Sequence, residues 1–153
     1  MHSLLDNKNW FLHGLEYQGT LRVVVVEART GERKEEDYQD ETNETLRKIL
    51  QGSVPIEVHQ DSMYARVVFE RVVAWQAIDE SYTSWDDYEI RDDNSSLQVL
   101  SRSRYLEHIN KHHGWYKDVV GLAQHYRVLT YDEIIDVVAI EPPTVEEIEH
   151  KKA

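Results

Sequence analysis

Residues 63–80, MYARVVFERVVAWQAIDE, constrain the fold of this chain more than any other stretch. Four valines with Tyr64, Phe69 and Trp75 give it the density that suits a pleated, half-buried surface. At about 3.3 Å per residue the run is too long for one ordinary strand. It is expected to bend or bulge near Glu70-Arg71 and to continue as a second strand. One parity carries Ala65, Val67, Phe69, Val73, Trp75 and Ala77, and that face is expected to meet the core.

Similar runs occur on either side. Residues 10–29, WFLHGLEYQGTLRVVVVEAR, place two apolar segments around Gln18-Gly19. Glycine supplies the positive φ of a tight turn, so an antiparallel hairpin is expected. The unbroken Val23–Val26 run suggests that both faces of its strand are covered. Further strands are read at VPIEV (54–58), Tyr88–Arg91, LQVLS (97–101), HYRVLT (125–130) and EIIDVVAI (133–140). The last two meet at Tyr131-Asp132. Thr130-Tyr-Asp-Glu133 also fits a capping box that would start a helix, but the β-branched density of IIDVV favours strand.

Helical signals are fewer. ETLRKILQ (44–51) gathers Leu46, Ile49 and Leu50 on one face, with Gly52 placed to cap it. RYLEHINKHH follows Ser101 and Ser103, either of which suits an N-cap, and Gly114 is placed to stop it. Residues 27–45 read as a solvated loop leading into the first helix. Pro142-Pro143 is expected to close the folded unit, leaving 144–153 as a tail or a short frayed helix begun by Thr144-Val-Glu-Glu147. The expected fold is α+β: one domain over residues 1–143, mainly antiparallel sheet, with two or three short helices packed on it.

Composition narrows the function. At 153 residues one domain is the default. There is no cysteine, which removes disulfides, thiolate nucleophiles and thiolate zinc sites. The first residues, MHSLLDNKNW, do not read as a signal peptide, and no apolar run approaches the roughly 20 residues that span a bilayer. A cytoplasmic protein is expected. Seventeen Lys and Arg against 29 Asp and Glu leave a net charge of −12. That balance disfavours nucleic acid and anionic membranes as partners and is compatible with a basic protein. GxGxxG, the P-loop and GxSxG are absent, and no cofactor is expected.

Three groups of residues are candidates for chemistry or binding. His108 and His112 stand four apart on a helix, a spacing at which two imidazoles can share a zinc ion. The His-Glu-x-x-His motif is missing, and histidines in a last turn also interact well with the helix dipole, so the structural reading is preferred. Asp136 lies amid Ile134, Ile135, Val137 and Val138. If the strands pair about Tyr131-Asp132, residue 136 faces 127, and Arg127 becomes its ion-pair partner. If the protein is instead an enzyme, His125, Asp136 and Glu141 are the expected acid/base groups. The third group is the segment from Asp79 to Asp93, with seven acidic residues and one basic. Within it Tyr82, Trp85, Asp86, Asp87, Tyr88 and Glu89 have the composition of a docking surface for a basic protein. The bland alternative is a solvated loop whose rings fold back onto the core.

The stretches FERVVAWQAIDESYTSWDDYE, SRSRYLEHI and HYRVLTYDEIIDVVAIEPP, within about residues 54–143, resemble a family of small uncharacterised bacterial proteins. The resemblance implies a bacterial, cytosolic protein and no particular reaction. It draws attention to Asp79, Glu80, Tyr105, His125, Asp136 and Glu141 without assigning them roles. Small acidic bacterial domains often serve as immunity proteins against toxins, an analogy of class. The expected function is thus a non-enzymatic, acidic protein-binding domain, of immunity type. A small hydrolase built on His125 and a homo-oligomeric structural domain are the alternatives.

Overall fold

A computed structural model describes residues 4–31, 42–52, 54–92 and 94–153 of the chain. Most of the loop read at 27–45, and Asp93 of the acidic segment, lie outside the described residues. In chain order the strands and helices are β1 (Asn9–Tyr17), β2 (Leu21–Thr30), α1 (Glu44–Gly52), β3 (Ile56–Glu57), β4 (Tyr64–Phe69), β5 (Val72–Asp79), β6 (Ile90–Arg91), β7 (Leu97–Arg102), α2 (Arg104–His113), β8 (Gln124–Leu129), β9 (Glu133–Ala139) and β10 (Thr144–Ile148). The architecture is mainly antiparallel sheet with a few short helices, as the sequence suggested.

The chain forms two compact units, one built from the residues up to Glu27 and from Met63 onward, the other from Ala28–Ser62. In the smaller unit, the end of β2 pairs with β3 through Arg29↔Glu57 and Thr30↔Ile56. The Asn43 side chain accepts from the Leu46 N–H at the start of α1 (3.1 Å), and Arg29 pairs with Asp61 at 2.9 Å.

The larger unit holds two sheets, ordered β1-β2-β4-β10 and β5-β9-β8-β7-β6. The β1–β2 hairpin turns as the sequence predicted, with Gly19 at φ +79°. The long run 63–80 does break at Glu70-Arg71: Arg71 takes φ +54°, and β4 and β5 go to different sheets. Alternation does not survive the break. Ala65, Val67 and Phe69 are fully buried, Val73 and Trp75 only partly, and Ala77 is exposed. The turn at Arg71 and a bulge between Val72 and Ala74 reset the parity, so Val72 and Trp75 pack on the main core while Val73 joins a smaller cluster.

That main core draws on both sheets, with Trp10, Val23, Phe69, Tyr126, Ile135 and Val137 among its members. The β8–β9 pairing has the register inferred from the turn, including Arg127↔Asp136 and His125↔Val138. Within 131–139, Glu133–Ala139 is strand and not helix, after a turn at Tyr131-Asp132 in which Thr130 Oγ1 accepts from the Glu133 N–H at 2.9 Å. The tail or helix read at 144–153 requires correction. Thr144–Ile148 is β10, paired with β4 through Val145↔Val67, and only His150–Lys152 form a single 3-10 turn. Val145 packs on the main core, a tertiary gain that overrides the capping-box pattern.

The helix α2 begins where Ser103 Oγ accepts from the Leu106 N–H at 3.0 Å, which selects Ser103 over Ser101 as the cap. Its end differs from expectation. Gly114 has φ −78°, and the chain tightens into a 3-10 turn over Gly114–Asp118 instead of stopping in a left-handed cap.

Candidate functional site: a buried ionic chain beneath an aromatic loop

Alternation along β8 and β9 sends Tyr126, Val128, Ile135 and Val137 to the main core. It sends His125, Arg127, Asp136 and Val138 to the opposite face. There a cross-strand row runs Gln76, Asp136, Arg127 and Gln98 over β5, β9, β8 and β7. Five residues form one hydrogen-bonded chain here. Ser103 Oγ lies 2.7 Å from His125 Nδ1, and His125 Nε2 lies 2.7 Å from Asp136 Oδ1. The same Oδ1 accepts from Arg127 Nε at 2.7 Å, while Oδ2 accepts from the Gln76 amide at 3.2 Å. One neutral tautomer satisfies the whole ring: Nε2–H donates to Asp136, and Nδ1 accepts from the Ser103 hydroxyl, whose oxygen takes the Leu106 N–H.

The chain continues into the acidic segment. Arg127 donates through Nη1 and Nη2 to the two oxygens of Glu89, at 2.7 and 2.9 Å, in the fork geometry that makes such pairs strong. Arg91 adds a bond of 3.0 Å to Glu89. Burial opposes the charge on Asp136, but His125 and Arg127 outweigh it and hold its pKa below the ordinary carboxylate value. Glu89 is lowered likewise: burial raises it, and the hydrogen bonds from Arg127 and Arg91 overcome that. Burial alone would lower the pKa of Arg127; Glu89 and Asp136 raise it instead. Tyr105, edge-on to His125 at 5.4 Å between ring centres, is pushed up to about 12 by burial and by the charge of Asp136.

Burial limits what this chain of groups can do. His125, Ser103 and Asp136 are 0%, 1% and 3% exposed, so no substrate reaches their reactive atoms without the covering elements opening. Ser103 is further committed as the cap of α2. Glu141, the third residue proposed for acid/base work, is not part of the chain; it pairs with Arg71 at 3.1 Å on the surface. Ser103, Gln76 and Arg91 had escaped the sequence reading as site residues. His125 had been named as a candidate beside Asp136, and the register that sets 127 opposite 136 also sets 125 on the same face, diagonal to 136.

Residues 80–89 lie over this face as a tethered loop that leads into β6. Asp79 caps the short 3-10 turn Glu80–Tyr82 by accepting from the Ser81 N–H at 2.9 Å. Asp86 accepts from the Tyr88 N–H and from Arg104 Nε (2.8 Å), and its pKa is lowered, first by the backbone donor. The guanidiniums of Arg102 and Arg104 stand 4.5 and 4.4 Å from the centre of the Tyr88 ring, and the Tyr88 hydroxyl donates to Glu107, which raises its pKa. Trp85 spreads over Arg91 and Arg127 at 5.4 and 6.0 Å. Of the six residues predicted to form a docking surface, Trp85, Asp86, Tyr88 and Glu89 are therefore engaged by arginines of the same chain. Tyr82 and Trp85 remain 82% and 54% exposed, and Asp87 is exposed beside them.

The histidine pair lies elsewhere. His108 and His112 are on the exposed side of α2 with ring centres 4.7 Å apart. Among the described residues no group of three His, Asp or Glu side chains is placed to hold a metal ion. No described helix is long and apolar enough to cross a membrane. No protein-family model, no curated protein and no solved structure matches the chain.

Proposed function

We propose that this chain is a non-enzymatic protein-binding domain whose docking surface is the tip of the 79–92 loop. The observation that carries the reading is the pairing of two exposed rings, Tyr82 and Trp85, with a loop base fastened by the Glu89–Arg127 fork. Large aromatic side chains dominate binding energy when they are presented on a rigid base, because little freedom remains to be lost on association. Exposed Glu80 and Asp87 flank the rings, and with the net charge of −12 they favour a basic partner. Asp86 and Glu89 contribute less to that attraction than their sequence suggests, since their charges are matched internally. The finer reading is an immunity-type protein that neutralises a basic bacterial toxin; it rests on the acidic surface and on analogy of class.

The test is affinity capture from the native host with the wild-type chain, followed by titration of the purified partner against Tyr82→Ala, Trp85→Ala and Asp87→Lys. The reading requires that each variant stay folded and bind at least about tenfold more weakly, the loss of about 1.4 kcal/mol expected of a hot-spot residue. A partner indifferent to all three changes refutes it. A toxin gene beside this one, its product captured by the wild-type chain, would support the immunity reading.

A further inference from the structure

The bend at Arg71 and the 3-10 turn after α2 create a second feature, away from the aromatic loop. Gly121, at φ +108°, turns the chain from that 3-10 segment back towards β8. The segment leaves Trp115 74% exposed, with Val119 and Leu122 also open to solvent. Beside it lies a pocket of about 530 Å³, within the roughly 300–1,000 Å³ range of small-molecule sites. Val72, Val73, Val120 and Ile140 line it together with Trp115 and the buried Tyr116. Three lining residues carry side-chain N–H donors, Arg71, His113 and Trp115, and of these the Arg71 guanidinium is the permanent cation.

Arg71 is held in a left-handed backbone conformation that residues with a side chain rarely adopt. Its carbonyl accepts from the Ile140 N–H at 3.2 Å, and its Nη2 makes a long contact of 3.4 Å to the Val120 carbonyl. Among the described residues its ion-pair partner is Glu141, and both members of that pair are about half exposed (47% and 48%). Exposed pairs of this kind contribute little net energy, so a second carboxylate can replace Glu141 at small cost. A guanidinium offers five donors in a planar fork, which matches a carboxylate.

We propose that this pocket binds a small amphipathic carboxylate, with an aliphatic or aryl group of the size of a medium-chain fatty acid. The apolar group packs among Val72, Val73, Val120 and Ile140 against the Trp115 ring. The carboxylate takes the place of Glu141 on Arg71.

Octanoate, with 1-octanol as its uncharged counterpart, tests the proposal by NMR titration of the full chain. The expected shifts fall on the Trp115 indole N–H and the Val72 and Val120 methyls. Glu141→Gln removes the competing carboxylate and tightens octanoate by about three- to tenfold, the scale of an exposed ion pair, while 1-octanol is unchanged. Arg71→Gly suits the left-handed backbone and abolishes the preference for octanoate over 1-octanol. Shifts confined to the Tyr82–Trp85 loop overturn the proposal, as does an Arg71→Gly chain that keeps the preference or a Glu141→Gln chain that gains nothing. Sedimentation showing that the Trp115 face is closed by a second copy, in a dimer that octanoate does not disturb, also overturns it.

Discussion

The two faces of the β8–β9 ribbon are built from neighbouring residues and stabilised in opposite ways. On one face Tyr126, Val128, Ile135 and Val137 pack without polar contacts between their side chains and contribute in proportion to the apolar area removed from water. On the other, Ser103, His125, Asp136, Arg127 and Glu89 are nearly as buried and are tolerable only because each finds its partners. The first arrangement degrades gradually when an atom is lost. The second fails abruptly, because removing one member strands a charge in a dry environment. Burial by itself therefore says little about how a site tolerates change; the chemistry of what is buried decides.

The sharpest way to break that contrast is Asp136→Ala. It leaves His125 and Arg127 without their shared acceptor and is expected to cost about 3–5 kcal/mol in chemical denaturation. A loss under about 1 kcal/mol would mean that water or relaxation rescues the face. Replacing Asp136, Arg127, His125 and Glu89 together by apolar residues of similar volume is expected to recover most of the loss, since apolar replacement of buried ions is often neutral or better. On the apolar face, Ile135→Ala is expected to cost about 2–5 kcal/mol through lost transfer energy and a cavity, with no dependence on pH.

Acid separates the faces further. Asp136 and Glu89 have folded-state pKa values below their ordinary ones. A depressed carboxylate contributes stability that is fully present above the unfolded pKa and is lost as pH falls through the folded value. Stability is thus expected to hold from neutrality down to the ordinary carboxylate range and to decline below it. Denaturation midpoints measured against pH should flatten in a Glu89→Gln chain; an unchanged slope would remove Glu89 as a contributor. Ser103→Ala removes the helix cap and the hydroxyl facing His125, for about 1–2 kcal/mol. Tyr82→Ala, at the exposed loop tip, should leave stability within about 0.5 kcal/mol of wild type, so any large effect on partner binding is separable from folding.

How much of this was legible in the sequence follows the range of the interactions. Period-two alternation and the Tyr131-Asp132 turn were enough to place Arg127 opposite Asp136, because register in a hairpin is a local property. The break at Glu70-Arg71 was legible from strand length alone. The fork between Glu89 and Arg127 was not, since the residues are 38 apart and no periodicity dictates the path of an irregular loop. The same loss explains the overestimate of free negative charge in the 79–92 segment: Arg102 and Arg104 come from β7 and α2, whose approach only the tertiary fold fixes. Thr144–Ile148 was misread because a capping box is a local pattern, while the pairing of β10 with β4 is not.

The single oxygen of Asp136 that serves both His125 and Arg127 has an evolutionary consequence. Stepwise drift through single replacements is blocked there, since each intermediate carries an orphaned group. Descendants of a common ancestor should therefore keep the ensemble whole or exchange it wholesale for greasy side chains, with few sequences caught between.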